Sequence, residues 1–174
     1  MDSGFNPYAF YGIEECFFPD EPALRATFLE LSRKHHPDYF PYDSAEHREA
    51  MSYADLNNRA YRILSSFEDR LHWILTHHGL LQEGEKNIMP AGFLNELLEL
   101  NDLIDEAHAG DATARAQAEE FLQIKIKELK EEMHLRARTW DKNPEHALLA
   151  ELHRLYQQYR YLGRLEQNFI EGVE

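Results

Sequence analysis

The chain has 174 residues, 43% of them hydrophobic, which is enough for a sizeable core in one large or two small domains and too apolar for a disordered chain. Its net charge of −14 argues against nucleic acid and anionic membrane surfaces as partners, because a polyanion gains nothing by neutralising phosphates. A lone cysteine, Cys16, excludes an intrachain disulfide and a Cys-rich zinc site, and suits a reducing compartment.

Met1 to Pro7 carries no basic region and no apolar signal core, and no apolar run approaches membrane-spanning length, so a cytoplasmic location is expected. Residues 6 to 78 read as the first unit. A short opening helix carries Phe10 and Ile13. A second helix, Asp20 to His35, places Leu24, Phe28 and Leu31 on one face at helical spacing. Its polar face carries Arg25, Arg33 and Lys34. Cations near a helix C-terminus interact favourably with the dipole, and they also form a positive patch able to steer an acidic partner.

Pro37 stops this helix, since it has no N–H and disfavours an α conformation at His36. An aromatic loop follows, with Tyr39, Phe40 and Tyr42. Asp43 is expected to cap the third helix, with Glu46 at the capping-box position. Met51, Ala54, Tyr61 and Leu64 are expected near one face of that helix. A fourth, Phe67 to His78, brings Leu71, Ile74 and Leu75 with Trp73 adjacent, and Gly79 fits a C-cap. Residues 79 to 89 read as a linker, because Gly79, Gly84 and Asn87 break the periodicity and Gln82, Glu83, Glu85 and Lys86 are polar.

Residues 90 to 174 hold three long helical patterns and no strand pattern. Pro90 opens the first, which runs to about His108, and Ala109-Gly110-Asp111 turns the chain. The second spans about Ala112 to Arg138, with Leu122, Ile126, Leu129 and Met133 on one stripe. The third starts at Asn143-Pro144 and aligns Leu148, Leu152, Leu155, Tyr159 and Leu162. The expected fold is all-α: a helical hairpin with a turn, then an antiparallel three-helix bundle.

In the Pro90 to His108 segment, Phe93, Leu97, Leu100 and Ile104 make a core seam. Leu94 and Leu98 point away from it, beside Asn95, Glu99, Asp102 and Glu106. Exposed leucines need no special explanation, yet this pair joined to an acidic patch also fits a docking face. The ten histidines show no metal-ligand pattern, and no Gly-rich phosphate loop is present, so no cofactor is expected.

His36-Pro37-Asp38 between two helices resembles the signature of the J-domain, the module by which DnaJ-type co-chaperones activate DnaK-type chaperones. Asn58-x-Ala60-Tyr61-x-x-Leu64 is similar to its third helix, and Asn6-Pro7-Tyr8 through Tyr11-Gly12-Ile13 to its first. Phe93-Leu94-x-Glu96-x-Leu98-Glu99-Leu100 with Ile104-Asp105-Glu106 resembles the first C-terminal helix of HscB, the J-type co-chaperone of iron–sulfur cluster assembly. The resemblance spans nearly the whole chain and implies a J-domain over 1–78 and a scaffold-binding domain over 90–174. It implies no enzyme activity. It implies an HscA/DnaK-type chaperone contacted by His36, Pro37, Asp38, Arg25, Arg33 and Lys34. It further implies an IscU-like scaffold protein bound by Leu94, Leu98, Glu99, Asp102, Glu106 and Tyr161. Tyr161 lies off the stripe of the last helix, a position that allows it to join that surface.

Several residues depart from the family pattern. Asn95 stands in place of a frequent methionine and removes an apolar contact, whereas Asp102 for glutamate and Tyr161 for phenylalanine keep the chemistry. His35 replaces the usual tyrosine, and Tyr39 a common basic residue. A J-domain adaptor for another client and an architectural helical protein with an inactive J-domain are the alternative readings.

Overall fold

The computed structural model describes residues 4–81 and 89–171. These form seven α-helices and one short 3₁₀ turn, with no strand among the described residues, so the fold is all-α. The chain divides into two compact units, Met1–Gly79 and Leu80–Glu174. Of the expected linker, residues Gln82 to Ile88 lie outside the described residues.

In the first unit, α1 (Pro7–Tyr11) begins with a proline whose fixed φ suits the first helical position. The Asn6 side chain accepts from the Ala9 N–H at 3.0 Å. Gly12, at φ 67°, closes the helix in a conformation that costs other residues a Cβ clash. Pro7, Tyr8 and Tyr11 are its buried residues. Phe10 is only half-buried against Tyr53, and Ile13 falls beyond the helix end, so the expected pair is not the anchor.

Helix α2 (Glu21–Lys34) is capped by Asp20, which accepts from the Ala23 N–H at 2.9 Å. It buries Leu24 and half-buries Phe28 and Leu31, and the Phe28 ring stacks on Tyr61 at 4.4 Å. Helix α3 (Ala45–Ser65) starts one residue later than Asp43 capping requires. Ser44 is the cap and accepts from the His47 N–H at 3.0 Å. Asp43 instead adopts φ 62°, and its carbonyl and carboxylate both accept from Arg48. The Glu46 carboxyl is held below its ordinary range, first by its own backbone N–H and then by the Ser44 side chain.

The buried face of α3 is Ala50, Asn57, Ala60 and Leu64, and Met51 is exposed. At about 100° per residue, Met51 sits more than a quarter-turn from the centre of that face. Helix α4 (Phe67–His77) buries Leu71, Ile74 and Leu75 completely. Each full leucine burial contributes about 1.5–3 kcal/mol. Gly79, at φ 72°, follows the cap residue His78 and donates its N–H to the Thr76 carbonyl.

Two polar side chains sit inside this core. The Asn57 Oδ1 accepts from the Tyr11 hydroxyl at 2.9 Å, and its Nδ2 donates to the Phe28 carbonyl at 3.1 Å and to Ser32 Oγ at 3.0 Å. One amide thus ties α1, α2 and α3 together, and burial pushes the Tyr11 hydroxyl well above its ordinary titration range. Arg70 is 3% exposed; its Nε donates to the Phe17 carbonyl at 2.9 Å and its Nη1 to the Leu64 carbonyl. It fixes the chain between α1 and α2 against the end of α3.

The second unit comprises α5 (Ala91–His108), α6 (Ala112–Lys142) and α7 (His146–Glu171). Connections this short force consecutive helices to reverse direction. Gly110, at φ 100°, makes the first reversal, and Asp111 then caps α6 through the Thr113 and Ala114 N–H groups. Phe93, Leu97, Leu100, Ala118, Leu122, Leu129, Leu162 and Phe169 form the core. Helix α6 runs one turn past the expected Arg138 end and buries Trp140 there. On α7, Leu149, Leu152 and Leu162 are fully buried, with Leu148 half-buried. Glu96–Lys125 at 2.6 Å and Arg136–Glu151 at 2.9 Å link neighbouring helices at the surface.

Candidate functional site

The signature turn follows directly from its sequence. The last backbone bond of α2 runs from the His35 N–H to the Leu31 carbonyl at 3.0 Å, and the His35 ring stacks on Tyr53 of α3, centroids 3.8 Å apart. His36 is extended, as a residue before proline must be. Pro37 then starts the 3₁₀ turn Pro37–Tyr39, closed by Tyr39 N–H to His36 carbonyl at 3.1 Å and Phe40 N–H to Pro37 carbonyl at 3.0 Å. Inside it, the Asp38 N–H donates to His36 Nδ1 at 3.3 Å. The result is a stiff platform from which the Asp38 side chain projects, 85% exposed.

The basic residues of α2 are all exposed, but they do not share one face. Arg33 and Lys34 line an open groove with Ala26, Leu29 and Glu30. Arg25 lies about half a turn of helix away from Lys34 in azimuth, outside that groove. The groove therefore sets a partly exposed leucine among two cations and one carboxylate, immediately before the turn.

On the second unit, the α5 seam is buried as the spacing predicts: Phe93, Leu97 and Leu100 are at most 5% exposed and Ile104 is half-buried. Leu94 and Leu98 are 47% and 64% exposed. With Asp102 and Glu106 they recur every four residues, so they form one continuous ridge about 18 Å long. Glu99 and Asn95 flank it, also exposed. Other large apolar side chains are exposed too, including Ile124 and Leu135 of α6. What distinguishes Leu94 and Leu98 is that they are helical neighbours continuous with acidic groups.

Tyr161 is not a free surface residue. It packs half-buried against the core, with its ring edge-to-face with Phe93 at 6.5 Å. The structure thus joins Tyr161 to the start of the ridge through Phe93, while Asp102 and Glu106 lie at the far end. Sequence reading missed Asn57 and Arg70. Their signal was positional: Asn57 falls midway between Ala50 and Leu64 at seven-residue intervals, and Arg70 stands four residues before Ile74. Among the described residues no cluster of three or more His, Cys, Asp or Glu is arranged to hold a metal ion. No helix among them is long and apolar enough to cross a membrane.

No protein-family model matches the chain. Curated relatives do. It is 34% identical over 110 residues to the co-chaperone protein HscB homolog of Ralstonia nicotianae, covering 62% of each chain. It is 32% identical over 116 residues to the HscB homolog of Vibrio vulnificus, covering 65% of this chain and 68% of that one. For the HscB homolog of Cupriavidus taiwanensis the identity is 31% over 129 residues, covering 73% and 72%. The chain belongs to the HscB co-chaperone family. Among solved structures, human co-chaperone HscB matches with a TM-score of 0.72 at 22% identity, over 99% of this chain and 84% of that one. Chaperone HscB from Vibrio cholerae matches at 0.63 with 18% identity, over 97% and 98%. At those identities the likeness concerns the fold, a J-domain followed by a C-terminal helical domain. As an HscB protein the chain is a co-chaperone and not an enzyme.

Proposed function

We propose that this HscB protein stimulates ATP hydrolysis by an HscA/DnaK-type chaperone and delivers an IscU-like iron–sulfur scaffold protein to it. The ATP chemistry is the chaperone's. The J-domain, 1–78, supplies the stimulus, the segment 79–89 links, and the three-helix domain, 90–174, carries the scaffold. The setting is the cytoplasm, with neither nucleic acid nor membrane as a partner for a chain of charge −14.

The observation that carries the first half is the Asp38 side chain, 85% exposed on a turn held by a proline and by the His36 ring. A carboxylate fixed in this way is pre-organised for a charge-assisted hydrogen bond to an arginine of the chaperone. Arg33, Lys34 and, on the adjoining face, Arg25 attract an acidic partner surface and raise the encounter rate. In the second half, the Leu94–Leu98 ridge supplies an apolar centre, Glu99, Asp102 and Glu106 a polar rim, and Tyr161 an aromatic edge.

The test is the steady-state ATPase of the chaperone with wild-type protein and with Asp38→Asn. The variant is expected to lose stimulation while its melting stays within about 0.5 kcal/mol of wild type, as for an exposed turn position. Stimulation equal to wild type by Asp38→Asn would remove Asp38 from the site.

A further inference from the structure

His36 Nδ1 faces two groups of the same neighbour. The Asp38 backbone N–H donates to it at 3.3 Å, and the Asp38 carboxylate Oδ2 lies 3.7 Å away. A ring nitrogen carries either a lone pair or a proton, never both. With a lone pair, Nδ1 accepts the Asp38 N–H, fixes the turn and leaves the carboxylate to solvent. With a proton, it cannot accept that N–H. It becomes a cationic donor, and the nearest acceptor is the carboxylate.

We infer that His36 is a proton-controlled positioning residue for Asp38. Deprotonated, it holds the carboxylate out toward the chaperone's cationic group; protonated, it draws the carboxylate onto its own ring and withholds it. This rests on the reading of Asp38 as the chaperone-contacting group. The two states differ by that one turn bond and a side-chain rotation, while Pro37 and the two backbone bonds of the 3₁₀ turn are common to both, so the fold stays as it is.

The surroundings define what acts on the ring. On the same turn, Tyr39 places its neutral ring 5.6 Å from His36, because residues three apart eclipse in a 3₁₀ helix. On α2, His35 is engaged with Tyr53 of α3, and Arg33 and Lys34 are the cations of the last turn. Histidine is the side chain whose ordinary titration falls between about pH 5 and 8, so that range is where the two states are to be compared.

The experiment is a heteronuclear NMR titration of the full chain alone, from about pH 8 to about pH 5.5. As the His36 ring takes up its proton, the Asp38 amide proton is expected to shift upfield as it loses its acceptor. The Asp38 side-chain carboxyl carbon is expected to move in the same transition. A His36 ring that titrates while both Asp38 resonances stay still overturns the inference. No chaperone is present, so the outcomes separate. Unmoved Asp38 resonances remove the coupling and leave the chaperone contact standing, whereas full stimulation by Asp38→Asn removes the contact and leaves the coupling standing.

Discussion

Replacing Leu94 and Leu98 together by alanine separates scaffold delivery from chaperone stimulation. The two side chains are 47% and 64% exposed. If full burial of a leucine contributes about 2 kcal/mol, covering the exposed parts contributes about 1 kcal/mol at each position. The double truncation should therefore weaken scaffold binding by about 2 kcal/mol, close to 30-fold in Kd. The portions already covered by the fold cost roughly 2 kcal/mol of stability, which a domain of about 5–15 kcal/mol survives. Leu97→Ala is the contrast: it is 5% exposed, and emptying that site costs about 2–5 kcal/mol of stability. Calorimetry gives the affinity and circular dichroism the melting. With no scaffold present, the double variant should stimulate the chaperone as wild type does. Unchanged scaffold affinity in a folded double variant refutes the assignment of this ridge, and an unfolded one shows the leucines to be core.

Three further outcomes are expected. Reversing Arg25, Arg33 and Lys34 to glutamate should slow association with the chaperone, with the difference from wild type narrowing as salt is added; equal rates at low salt, read by stopped flow, contradict the steering. Asn57→Ala should cost about 2–3 kcal/mol by leaving buried partners unsatisfied, and Tyr11→Phe should cost less in that background than in wild type, as a double-mutant cycle in denaturant measures. The Tyr11 hydroxyl holds its proton more tightly folded than unfolded. Its contribution is therefore complete below about pH 10 and is lost as pH rises further, so Tyr11→Phe should flatten the alkaline fall in stability.

The helices were legible because apolar residues recur at helical spacing between strong stops. Pro7, Pro37, Pro90, Gly79 and Gly110 each mark a boundary that backbone chemistry enforces. The α5 face was legible for the same reason: one angular rule sends Leu97 inward and Leu94 outward. What periodicity could not weigh was polar burial. Asn57 and Arg70 lie in core register, yet their side chains are buried only because carbonyls and hydroxyls from other elements meet them, and those partners are distant in sequence. Cap choice at Ser44 depended on a positive φ at Asp43, which one residue's identity does not dictate. Tyr161 is half-buried, which a helical wheel does not foretell, since it fixes direction but not how far a neighbour such as Phe93 reaches.

The central claim joins two activities in one chain, and one measurement addresses both. It is the steady-state ATPase of an HscA-type chaperone with this protein, with an IscU-like scaffold, and with the two together. Stimulation by both together should exceed the sum of the separate effects, and Asp38→Asn should abolish it. Stimulation that is merely additive, or that Asp38→Asn leaves intact, would contradict the account.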